Sequence, residues 1–93
     1  MTTEELKEAC NRIPELNTLW NALVDIALNT QTRGLPLALR AHRGEGLSDE
    51  EHSAYHVQQE EFDAAAQTLI RACAKHGITP PVLRVGEICA LYS

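Results

Sequence analysis

The sequence predicts an all-α protein, a small bundle of four to five helices built on an antiparallel pair at about residues 14–32 and 48–76. Three observations carry this expectation. Thr2 with Glu5, and Ser48 with Glu51, each place a hydroxyl residue three positions before a Glu. In such a capping box the hydroxyl accepts the backbone N–H of the Glu, and the Glu carboxylate accepts that of the cap. After both starts the apolar residues recur every three or four positions, the period of a helix with one buried face. Finally, 44% of the chain is hydrophobic but only 4% is aromatic, so the core must be aliphatic, mostly Leu, Ile, Val and Ala.

The elements follow in order. A first short helix runs from the Thr2 cap to about Arg12, with Leu6, Ala9, Cys10 and Ile13 on one side. Pro14 interrupts or restarts the chain, because proline clashes inside a helix yet fits its first position. The second helix carries the most apolar stripe: Leu16, Leu19, Trp20, Leu23, Ile26 and Ala27, widened by Val24 and Leu28. Asn29 to Thr32 are poor helix formers leading to Gly34, which reads as the end of that helix. Leu35 to His42 then makes a third, short helix entered at Pro36 and closed by Gly44, or else a buried connector. Gly44 to Leu47 is the one obvious hinge.

The long helix starts at Ser48, with Asp49, Glu50 and Glu51 supplying negative charge where the helix dipole favours it. It stops at Gly77, with Ile78 closing the end and Pro80 and Pro81 forbidding continuation. Its core stripe is Tyr55, Phe62, Ala66, Leu69 and Cys73, flanked by Ala65 and Ile70. Beyond it, Thr79 as cap and Pro80 at the first position predict a last helix with Val82, Val85, Ile88, Cys89 and Tyr92 inward. A strand is the alternative for residues 82–92, since they are rich in strand formers and contain Gly86.

Length and charge bound the function. Residues 1–93 make a single helical domain near the size at which one core is self-supporting but not generous, so a second copy or another partner is expected to help. The net charge of -5 disfavours nucleic acid and anionic membranes as partners, and no apolar run approaches the roughly 20 residues that span a bilayer. Cys10, Cys73 and Cys89 are odd in number and widely spaced. They read as buried, reduced thiols in a cytoplasmic protein.

The unusual surface lies in the first half of the long helix. Between Glu45 and Ile70 there are seven acids and no Lys or Arg. Where a core stripe would continue, the helix carries Glu51, His52, Gln58 and Gln59, which water or a polar partner must satisfy. The expected contact surface is therefore Asp49, Glu50, Glu51, His52 and Tyr55, continuing through His56, Gln59, Glu60, Glu61 and Asp63. It belongs to a small, acidic, non-enzymatic homodimer that binds another protein, basic at the contact, and regulates or inhibits it.

Two other functions share the same residues. His52, His56 and Glu60 step by four, a spacing that lets side chains share a divalent zinc, nickel or copper. However, the Glu that follows the first His in a metalloprotease helix is replaced by Ser53, so no catalytic site and no cofactor are expected. The acidic run is also the candidate for nucleic-acid mimicry, though a net charge of -5 is modest for that role. Arg33, Arg40 and Arg43 are expected to pair with the acidic helix rather than bind phosphates, since no aromatics are interleaved to stack bases.

Overall fold

The computed structural model describes residues 1–44 and 46–92, and the side chains of 33–38, 41 and 42 lie outside the described set. The sequence expectations that fall on Glu45, on the Arg33 and His42 side chains, and on the interior of 35–38 therefore lie outside the described residues. Among those described the structure is all-helical: α1 (Thr3–Asn11), α2 (Pro14–His42), α3 (Asp49–Lys75) and α4 (Val85–Ala90).

The helix ends are set by local chemistry. At α1 both bonds of the Thr2–Glu5 capping box form, at 3.1 and 3.2 Å. The Ser48–Glu51 box at α3 forms likewise. Pro14 is the first residue of α2, and the Ile13 carbonyl accepts the N–H of Asn17 at 2.8 Å. Gly77 closes α3 with φ of 71°. There the N–H of Ile78 reaches the Cys73 carbonyl and that of Gly77 the Ala74 carbonyl, the Schellman pattern that glycine permits.

Two expectations are corrected. α2 does not end near residue 32: it continues through Gly34 and Pro36 as one 29-residue helix and closes at Gly44, whose φ is 81°. Glycine and proline penalise a helix interior without forbidding it, and here the second half of α2 lies beside the start of α3, where Arg40 and Glu51 form an ion pair. The last helix does not start at Thr79. Residues 78–84 are not helical, Arg84 precedes α4 without a side-chain cap, and Val82 is 72% exposed rather than inward.

α2 packs along α3, and α1 and α4 pack on α2. Leu16, Trp20, Leu23 and Ala27 of α2 are buried, as are Phe62, Ala66, Leu69 and Cys73 of α3. Leu6 and Cys10 bring α1 into the same core, and Ile88 and Cys89 bring in α4. The Cys89 thiol donates to the Ala27 carbonyl at 3.4 Å. The Trp20 indole N–H donates to the Tyr92 hydroxyl at 2.9 Å, and Lys7 lies over the Tyr92 ring at 4.6 Å. These contacts tie the end of the chain to its beginning.

At one end of the pair Glu15, in the first turn of α2, meets His76 just after α3; at the other end Arg40 meets Glu51. The molecule measures 44 × 22 × 17 Å with a radius of gyration of 14.6 Å, against about 12 Å for a compact domain of this length. No helix among the described residues is long and apolar enough to cross a membrane.

The continuity of α2 has a direct test. Pro36 supplies no N–H to the carbonyl one turn before it, so Pro36→Ala is expected to raise stability by roughly 1–3 kcal/mol in thermal or urea unfolding. Were residues 35–42 a separate helix entered at Pro36, the same substitution would be neutral or destabilising.

Candidate functional site

The first half of α3 is outside the core. Its stripe begins to be buried only at Phe62, and Tyr55, one heptad earlier, is half-buried. Asp49, His52, His56, Glu60 and Asp63, spaced by three or four, line one flank, and all five are exposed. On that flank the rings of His52 and His56 stack with centroids 6.4 Å apart, and Tyr55 meets His56 edge-on at 6.1 Å. Gln59 donates its side-chain N–H to the Tyr55 hydroxyl at 3.0 Å, so the aromatic and amide groups are held in a row beside the acids.

The acids fall into two groups. Glu51 is already engaged: it completes the capping box and pairs with Arg40. The Ser48 backbone N–H, helped by the Ser48 hydroxyl and Arg40, holds its carboxyl below the ordinary value. Asp49, Glu50, Glu60, Glu61 and Asp63 have no ion-pair partner among the described residues. The expectation that the arginines pair with the acidic helix therefore holds for Arg40, while Arg43 donates to the Leu39 carbonyl. His52 and His56 adjoin one another, but among the described residues no three His, Cys, Asp or Glu side chains converge as a metal would require.

A feature the sequence did not disclose adjoins these residues. An open groove of about 410 Å³ lies between α2 and α3, with Ile26 and Thr30 on one wall and Ala54, Val57, Gln58 and Glu61 on the other. Val57 is 50% exposed, and the Gln58 side-chain oxygen is buried without a hydrogen-bond partner among the described residues. The available signal was Val57 itself, a lone apolar residue off the line of the core stripe.

The thiols are a different case. Cys10, Cys73 and Cys89 are free and buried. Burial, followed by contact with Cys73, pushes the Cys10 thiol up to about 11, and burial raises the other two. They stay protonated at neutral pH and serve as core.

No protein-family model, curated protein or solved structure matches this chain.

Two measurements check the local chemistry. Because the folded Glu51 carboxyl is shifted down, the stability it contributes is present above the unfolded value near 4.3 and is lost as pH falls through the folded one. Glu51→Gln should therefore lower the melting temperature at pH 7 and change it far less at pH 2–3. Gln58→Met removes the unsatisfied acceptor at similar volume and should stabilise by about 1 kcal/mol in urea unfolding.

Proposed function

We propose that the chain is a non-enzymatic protein-binding module, built on an antiparallel α2–α3 pair and acting as a homodimer, that docks onto a basic surface of another protein and thereby regulates or inhibits it. The observation that carries this reading is the exposed flank of Asp49, His52, His56, Glu60 and Asp63, whose three carboxylates have no ion-pair partner among the described residues. A two-turn helix segment would present such charges loosely. On a 27-residue helix anchored in a core at its far end they form a fixed negative edge, which steers a basic partner toward it and fixes its orientation. Tyr55 and Gln59, held together by their hydrogen bond, add an amphipathic contact beside the charges. Protein docking is preferred over metal binding because among the described residues a third ligand does not join the two histidines.

The test is charge reversal. A variant with Glu60→Lys and Asp63→Lys, both exposed, outside the core and away from the helix N-terminus, should fold with unchanged helicity. Used as bait in affinity capture with quantitative mass spectrometry, it should lose roughly tenfold or more of whatever the wild-type chain retains. The wild-type interaction should also weaken steeply between low and high salt. Equal capture by the two baits would remove the acidic flank from the function.

A further inference from the structure

The α2–α3 pair has two sides, and they are not alike. On one side a cavity of about 310 Å³ lies between Thr30 of α2, Gln59, Phe62 and Asp63 of α3, and Val85 at the start of α4. Glu61 is two residues from both Gln59 and Asp63, so it lies about 200° around the helix from them, on the other side. That other side is lined by α2 and α3 alone among the described residues. It carries the groove between Ile26 and Val57, and beyond it a second groove of about 520 Å³ between Glu15 and Leu19 of α2 and Thr68, Arg71 and Lys75 of α3. Leu19 and Ile26 are seven residues apart, as are Glu61 and Thr68, and a spacing of seven returns to nearly the same face. The two grooves thus lie in line along one face of the pair, a trough that among the described residues neither α1 nor α4 lines.

We propose that this trough is the surface on which a second copy of the chain packs, face to face. α3 would run against α3 of the partner in the opposite direction, about a two-fold axis passing near Ile26 and Ala65. The proposal rests on the homodimer reading above and assigns it a surface. Its apolar centre is ready: Ile26, Leu19 and Ala65 pack on the core from this side but are only half-buried, and Val57 is half exposed. Ala64 and Ala65, small residues at the middle of α3, let the two helices approach closely.

Charge decides the occupant. On the trough side of α3 the acids Glu50 and Glu61 stand toward its start, and the bases Arg71 and Lys75 toward its end. A uniformly basic partner would be attracted by Glu61 and by Glu15 of α2 but repelled by Arg71 and Lys75, which stand across the groove from Glu15. A second copy rotated by 180° presents the same signs in reverse order, so that Glu61 of each copy falls beside Arg71 of the other. Such self-complementarity is what a two-fold interface requires. The size also fits. Pairing residue 61 with residue 71 overlaps the two α3 helices over residues 57–75, about 28 Å, so a face two helices wide offers about 560 Å² per copy, that of a small specific interface. The acidic flank of Asp49, His52, His56, Glu60 and Asp63 lies round the helix from this trough and stays free for a different protein.

The experiment is light scattering over a concentration series on the full chain and on E61R and R71E, with circular dichroism of each as a fold control. Both positions are exposed and outside the core. The wild type should be dimeric. E61R sets Arg against Arg across the interface and R71E sets Glu against Glu, so each alone should dissociate at least tenfold more readily. An equimolar mixture of the two should recover the dimer, because every contact then joins an Arg to a Glu. A wild type that stays monomeric at every concentration overturns the homodimer reading and this surface with it. A dimer indifferent to both substitutions overturns this surface alone, and weakened variants whose mixture fails to recover overturn the α3-to-α3 arrangement.

Discussion

The apolar contact between α2 and α3 is what the other elements depend on, and it occupies only part of either helix. Leu16 to Ala27 on one side and Phe62 to Cys73 on the other bury Trp20, Leu23, Leu69 and their neighbours. α1 and α4, nine and six residues long, are too short to be stable alone. They are held by inserting Leu6, Cys10, Ile88 and Cys89 into that contact and by the junction of Tyr92 with Trp20 and Lys7. Because α2 and α3 have 29 and 27 residues, the pair outruns the core that two short helices can complete. The molecule is longer than a compact domain of its size for that reason.

What projects past the core is where the chemistry of the surface collects. Helical continuity gives the start of α3 rigidity without burial, and its capping box fixes the first turn. The same stretch can therefore carry carboxylates that a core would exclude. Their arrangement around the helix separates the two proposed contacts. The flank bearing His52, His56, Glu60 and Asp63 has one sign of charge, which suits a partner of the opposite sign. The trough has both signs, with Glu61 before Arg71 and Lys75 along α3 and Glu15 facing them from α2, which suits a copy of itself. Neither contact needs a cavity of the depth that small-molecule binding requires.

Much of the fold was legible in the residues. Both capping boxes, the Gly77 stop and the stripe from Phe62 to Cys73 are local patterns whose physics does not depend on the rest of the chain. Gly34 and Pro36 were misleading because their penalties are small beside the tertiary contacts of a long helix, so a propensity break did not become a structural one. Thr79 and Pro80 offered a start signal that the chain does not use. α4 begins later, without a cap, where Ile88 and Cys89 find their places against α2. The exposed acids of the site could be read directly from the charge pattern. The trough could not, since it arises only when Ile26 and Leu19 of one helix are set beside Val57 and Thr68 of the other.

The central claim is that α3 is one helix with two environments, core in its second half and contact surface in its first. Backbone hydrogen exchange along α3, followed residue by residue in dilute protein, measures this most directly. Amides from Phe62 to Cys73 should exchange only through global unfolding. Those from Ser53 to Gln59 should exchange orders of magnitude faster while helical signals persist, and should slow when the protein is concentrated or a partner is added. Uniform protection from Ser53 to Cys73 in dilute protein would show the whole helix to be core and would contradict the account.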